Sequence, residues 1–314
     1  MREKIISKAL IVLAVFFLPV FITSLFTDFG KKVSTAEDVS ITIEYKDGKK
    51  TVPLEQYLIG VVAAEMPAQF EGEALKAQAI AARTYTMKRV SDNENIVFKS
   101  NIQSYYSRSE LEVLWGVNDF ALNYPKIQRA VEDTKAQVLV YEDELIDAVF
   151  HSSSIGTTRS ALQVWGQEIP YLQQAQSLQD INAPTYSHQY SFDYEEVKKK
   201  ALKSDDQIIL TQELSSDLQI IERDTEGYVL QVQLGNKIYT GEAFRKIFGL
   251  ASSNFSILFK DDTVDIVCKG YGHGVGLSQY GAQAMAQGGA TCEEILTHYY
   301  FNVKLTTLKE MKVQ

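Results

Sequence analysis

Cysteine is almost missing from this chain. Cys268 and Cys292 are the two in 314 residues, which excludes a disulfide framework and leaves the fold to be held by its core. A basic excess is missing as well: 31 Lys and Arg against 40 Asp and Glu give a formal net charge of −9. Nucleic acid is therefore excluded as the main partner, because phosphate binding needs a basic face. Simple electrostatic adhesion to an anionic membrane or wall polymer is excluded for the same reason. No internal repeat or low-complexity segment is present. Hydrophobic content of 45% and charged content of 23% are ordinary for a globular protein. The length suits one large domain or two modest ones.

Long hydrophobic runs are scarce too, with one exception. Ala9 to Thr27 carries no charge and follows Arg2, Lys4 and Lys8. Its length is close to the ~20 residues needed to cross a bilayer and exceeds a signal-peptide core. The preceding basic residues put the amino terminus in the cytoplasm and everything after Lys32 outside. A cleavable signal is the rival reading, but its one small-x-small site, Ser34-Thr35-Ala36, lies beyond Lys31 and Lys32. The expectation is residues 1–8 as cytoplasmic tail, 9–27 as transmembrane anchor, 28–39 as linker, 40–306 as the folded unit in one or two lobes, and 307–314 as tail.

Strand and helix signals then alternate without a regular βαβ rhythm, so the fold class expected is α+β, mixed helices and antiparallel strands. Ile41, Ile43 and Tyr45 alternate with polar residues before Asp47-Gly48, which predicts an opening hairpin. Pro53 opens a helix running to Met66, and an Ala-rich helix covers Glu71 to Val90. A short helix is predicted near Ser109–Leu114. Strands are predicted at Gln137–Tyr141 and Ile146–Phe150, and residues 167–206 read as irregular. A hairpin from Tyr228 to Tyr239, a helix from Gly241 to Phe248, a strand at Val264–Val267 and two closing helices complete the reading.

One carboxylate breaks its pattern. Leu54, Tyr57, Leu58, Val61 and Val62 form an apolar helical stripe, and the next position on it is Glu65. Charged residues seldom face a core unless paired or functional, and burial raises a carboxyl pKa. A glutamic acid protonated near neutrality is what protonates a departing glycosidic oxygen. Pro67 ends the helix there and places Glu65 at its edge. The competing reading is a buried Glu paired with Arg83 of the next helix. Arg83 is also placed to grip a sugar, and spacing alone leaves these open.

Other polar groups carry weaker signals. His151-Ser152-Ser153-Ser154 follows a strand, yet no G-x-S-x-G elbow supports a serine hydrolase. Gly270, Gly272, Gly274 and Gly276 match neither dinucleotide nor P-loop spacing. They serve either close approach to a ligand or tight loop packing. Cys268, His273, Cys292 and His298 could form a zinc set by spacing, although His298 sits among Tyr299, Tyr300 and Phe301. A Cys268–Cys292 disulfide is permitted outside the cell. Free thiols are the favoured state.

Taken together, several segments resemble the stage II sporulation protein D family. They are Gln56 to Pro67, Ala74 to Tyr85, Phe150 to Ser154, Thr240 to Arg245, Gly272 to Ala282 and Glu294 to Tyr300, in the family's order. The resemblance implies a lytic transglycosylase with a glycan-binding cleft. Such an enzyme cuts between N-acetylmuramic acid and N-acetylglucosamine in peptide-stripped glycan and leaves a 1,6-anhydro end. The family's catalytic glutamate falls on Glu65 and its motif arginine on Arg83. The substrate's own C6 hydroxyl is the nucleophile, so no second carboxylate is needed, and one Glu serves as acid and then base. Glu71 and Glu73 read as a solvated first helical turn. Arg83, His151, Ser152, Ser153, Ser154, His273, Gln279 and Tyr280 become the expected substrate-binding residues.

The resemblance also implies partners: peptidoglycan glycan strands, the sporulation amidase stage II sporulation protein P and the membrane protein stage II sporulation protein M. Localisation follows, with the folded part in the septal space outside the membrane. Two departures stand out. Some members carry His and Cys metal ligands at about residues 91–107, where Asn101-Ile102-Gln103-Ser104-Tyr105-Tyr106 offers neither, so no metal or cofactor is expected. Ile155 stands where relatives often have a second glycine. An amidase-stimulating glycan binder is the alternative function. A hydrolase using water would need a second carboxylate.

Overall fold

The computed structural model describes residues 39–311, apart from 46, 47, 100, 101 and 212. The hydrophobic run 9–27 and the calls built on it lie outside the described residues. Among the described residues no helix is long and apolar enough to cross a membrane.

Ile41 and Ile43 are buried on strand β1 (Ser40–Tyr45), which pairs antiparallel with β2 (Gly48–Pro53) so that Ile41 faces Val52. Helix α1 (Leu54–Glu65) starts directly after Pro53, whose fixed φ suits that position. Its stripe Leu54, Tyr57, Leu58, Val61 and Val62 is buried. Helix α2 (Gly72–Asp92) packs against it through a run of small residues, Ala74, Ala77, Ala79, Ala81 and Ala82, which lets the backbones come close. Then follow β3 (Val97–Phe98), parallel to β1, and α3 (Arg108–Asp133).

The sequence predicted only a short helix near 109–114. The backbone kinks at Gly116, with φ of 70°, but the helix resumes beyond that kink and runs to Asp133. A second correction concerns β4 (Gln137–Tyr141). Glu142 and Asp143 both take positive φ, the backbone of a tight hairpin. Its partner β5 is therefore Glu144–Leu145, earlier than predicted, while Phe150–His151 forms β6 and pairs elsewhere.

Next come α4 (Ala161–Trp165) and a 3-10 turn at Leu178–Asn182. The supposedly irregular stretch ends in β7 (Ser187–Asp193) and α5 (Tyr194–Ser204). Asp193 and Glu196 form a capping box there, inside the stretch 167–206 that read as irregular. Then α6 (Leu214–Asp217) and β8 (Leu218–Arg223) lead into β9 (Val229–Leu234) and β10 (Lys237–Thr240). Helix α7 (Gly241–Phe248) precedes β11 (Phe255–Phe259) and β12 (Thr263–Lys269). The chain closes through β13 (Leu277–Ser278), α8 (Gln279–Gln287), α9 (Cys292–Tyr299) and β14 (Lys304–Thr307), the last of which the sequence did not announce.

The sheets are small: β2-β1-β3, β10-β9-β8, β11-β12-β7, β14-β4-β5 and the parallel pair β13-β6. Mixed α+β is the fold class observed. Two clusters of buried side chains hold it. One surrounds α1, α2 and the closing helices; the other lies among α5, α7 and the sheets from β7 to β12. Arg159 links the two, its backbone N–H donating to Gly274 and its guanidinium reaching Glu242 and Ser253.

Candidate active site

Helix α1 ends at Glu65 because Met66 is extended and Pro67 follows, and a residue before proline is biased away from helical geometry. The side chain is half-buried and accepts a hydrogen bond from the Ser104 backbone N–H at 2.9 Å. Burial pushes its carboxyl above the usual range, and the hydrogen bonds from Ser104 offset part of that rise. The negative end of the helix dipole acts in the same upward direction.

Glu65 opens into a cleft of about 440 Å³. Of the sequence-predicted residues, His151, Ser152, Gln279 and Tyr280 line it with Glu65. Ser104, Thr185 and Tyr271 line it too and were not foreseen as site residues. Glu65 is the one acidic side chain among the lining residues, and none of them is Lys or Arg. A larger hollow of about 840 Å³ lies beside β5 and β14 and shares no residue with this cleft. Its Glu310 is held below the usual carboxylate range by Thr307 and Thr306, the opposite of what acid catalysis needs.

His151 is buried, and its Nδ1 lies 3.1 Å from the Val275 carbonyl, so Nδ1 carries the proton. Desolvation pulls its pKa down and keeps the ring neutral. Its ring nitrogens make no hydrogen bond to Ser152, whose hydroxyl pairs with Thr185 at 3.1 Å. No Ser–His dyad is assembled, and the serine hydrolase reading loses its geometry.

Ser153 and Ser154 stand behind the cleft. Ser153 exchanges backbone hydrogen bonds with Tyr271, and Ser154 is fully buried with its N–H donating to Asp180 at 2.6 Å. Asp180 also accepts from the Ser278 hydroxyl at 2.8 Å, so one buried carboxylate ties the serine segment to the start of α8. It lay in a stretch that read as irregular, and no pattern there singled it out. His273 also sits behind the lining. Its Nδ1 accepts from Val275 N–H, and its ring lies against His151 and Trp165. Desolvation and the His151 ring hold its pKa below the usual range.

Arg83 requires a correction. It is fully buried and bonds Glu55, not Glu65, through Nε at 3.0 Å and Nη2 at 2.6 Å. Nη2 also donates to the Val131 carbonyl and Nη1 to the Gln137 carbonyl. Each guanidinium nitrogen is hydrogen-bonded inside the core, and Arg83 neither contacts Glu65 nor lines the cleft.

The glycine loop packs tightly on the site. Gly272 has φ of 116°, and a Cβ there would stand 2.6 Å from His151 Cβ. The segment Thr240–Arg245 supports this loop at one remove: Glu242 accepts from Arg159 at 2.9 Å and from Ser253 at 2.6 Å. Cys268 and Cys292 are free, one in the second core and one opening α9, which rules out the permitted disulfide. His298 packs on Tyr299. Among the described residues no three His, Cys, Asp or Glu side chains form a metal-binding group.

A neutral polar cleft around one elevated carboxyl, on a small-sheet α+β frame, defines the class of the site. Comparison with known proteins gives the family of the chain. A family model described as Stage II sporulation protein matches residues 46–141. The chain is 36% identical to Stage II sporulation protein D of Bacillus amyloliquefaciens, over 82% of this chain and 75% of that one. It is 35% identical to Stage II sporulation protein D of Bacillus subtilis (strain 168), over 88% and 82%. It is also 28% identical to an Amidase enhancer of the same organism, over 80% of this chain and 40% of that one. The chain belongs to the stage II sporulation protein D family, a family of sporulation.

Proposed function

We propose that this protein is a peptidoglycan lytic transglycosylase in which Glu65 is the acid and then the base. The observation that carries this reading is a single carboxyl, raised by burial, in a cleft otherwise lined by uncharged groups. Protonated Glu65 gives its proton to the glycosidic oxygen as the C1–O bond breaks. The carboxylate then removes the proton of the C6 hydroxyl as that oxygen closes onto C1, and Glu65 returns to its starting form. Water is not consumed, so no second carboxylate is required. The Ser104 N–H steadies the carboxylate between the two steps.

Sugar rings suit the walls, since Tyr271 and Tyr280 offer aromatic faces and Ser152, Thr185 and Gln279 offer hydrogen bonds. The absence of Lys and Arg from the lining favours glycan without the acidic stem peptide. In this reading the run 9–27 anchors the protein, the folded part faces outward, and the wall is opened together with a sporulation amidase.

The similarity to an Amidase enhancer supports a second reading, a glycan-binding module that stimulates a partner amidase. Digestion of peptide-stripped glycan strands by the protein and by Glu65→Gln separates the two. Anhydro-muramyl products from the wild type, and none from the folded variant, support the transglycosylase. Intact glycan from both, with binding retained, transfers the assignment to the amidase-stimulating module.

A further inference from the structure

Glu65 is held by a backbone donor, and a backbone donor is only as well placed as the loop that carries it. The loop bearing Ser104 is fixed by contacts of three kinds. Gln103 is buried; its Oε1 accepts from the Tyr57 hydroxyl at 3.0 Å and lies 3.0 Å from the Thr86 hydroxyl oxygen, which also donates back to the Ala82 carbonyl at 2.8 Å. Tyr57 belongs to α1 and Thr86 to α2, so the Gln103 amide is hydrogen-bonded to α1 and seated against the Thr86 hydroxyl of α2 beside the cleft. Its Nε2 finds no partner among the described residues. The Tyr105 ring stacks on Tyr57, with centroids 5.3 Å apart and planes at 16°. The third contact is to Gly60 of α1, whose carbonyl accepts from Tyr106 N–H at 3.2 Å. A Cβ at Gly60 would stand 2.7 Å from Tyr105 Cδ2 and closer still to the Tyr106 carbonyl oxygen. The loop therefore lies directly on the helix backbone, where only glycine leaves room.

We infer that Gln103 is a positioning residue: its side chain, with the space left by Gly60, sets the Ser104 N–H on the Glu65 carboxyl. The inference rests on the reading of Glu65 as the acid–base group. The polar clamp acts in one direction. It favours the ionised carboxylate that must exist between the two proton transfers, and it fixes where that carboxylate points.

Two variants disturb the loop from different sides. Gln103→Leu removes the acceptor at similar volume. Gly60→Ala forces the loop outward by about an ångström to reach the ~3.5 Å at which non-bonded atoms rest, while favouring the helix itself. A carboxyl-carbon NMR titration of Glu65, assigned by its loss in Glu65→Gln, is expected to move to higher pH in both. Glycan cleavage is expected to lose kcat on the order of a hundredfold, as misplacement of about an ångström does elsewhere, with KM little changed. Val232→Ala, in the second core, lowers stability and is expected to leave both readouts unmoved. Wild-type titration of Glu65 in both folded variants overturns the inference. If the wild type cleaves no glycan, the proposed function falls, and the titration still decides the clamp.

Discussion

Replacing Arg83 with methionine keeps the length of the side chain and removes its charge and all of its donors. The guanidinium is fully buried and makes two bonds to Glu55 and one each to the carbonyls of Val131 and Gln137. The variant leaves Glu55, with a side chain only 19% exposed, without its cation and with the Ala136 N–H at 3.4 Å as its remaining donor among the described residues. Breaking one partner out of a buried pair costs about 3–5 kcal/mol, a large share of the roughly 5–15 kcal/mol that holds a folded protein. At roughly 2–4 °C per kcal/mol for a fold near this size, the melting transition should fall by roughly 6–20 °C. Arg83→Met combined with Glu55→Leu should recover much of this, because an apolar pair carries no desolvation penalty. The assay is a calorimetric melt of each protein, with glycan cleavage measured below all the transitions and normalised to folded protein. Arg83→Met is expected to be unstable yet active per folded molecule. A variant that melts with the wild type and cannot cleave glycan refutes the structural role and returns Arg83 to the substrate.

The pH dependence of cleavage should show one descending limb. Glu65 must start protonated, so the rate falls as pH rises through its raised pKa, while His151 stays neutral and adds no limb at neutral pH. An ascending limb from a second essential carboxylate in the pH–rate profile would count against a single acid–base group. The same rise in pKa has a stability sign. The folded pKa of Glu65 lies above the unfolded 4.5, so its contribution is present below that value and is lost as pH rises through the folded pKa. Glu65→Gln should thus match the wild type in acid and exceed it near neutrality, by about 1.4 kcal/mol for every tenfold gain in proton affinity on folding; urea melts at two pH values check this. Gly272→Ala should destabilise by about 1–3 kcal/mol, since φ of 116° and the His151 Cβ both oppose a side chain. A thermal melt with the imidazole resonances of His151 tests it, and an unmoved His151 signal contradicts the packing.

Glu65 was legible because helical periodicity is a strong rule and a charge on the apolar stripe violates it. Arg83 was not, because α2 buries Gln78, Thr84 and Thr86 alongside its alanines, leaving no clean polar face to say where an arginine points. Ser104 acts through its backbone N–H, which every residue except proline possesses, so no side-chain pattern could mark it. Asp180 joins segments 26 and 98 positions away in the chain, and only tertiary folding brings them to it. The same limit explains the strands. Hairpins such as β9–β10 carry their turn signal between them, whereas β6 pairs with β13 across the molecule, and neither two-residue strand has a pattern of its own.

Cleavage of peptide-stripped glycan in oxygen-labelled water, with products weighed by mass spectrometry, tests the central claim most directly. Transfer to the sugar's own C6 hydroxyl predicts anhydro-muramyl ends, each lighter than a reducing end by one water and free of label. Reducing ends carrying the labelled oxygen would show that water is the nucleophile and contradict the account.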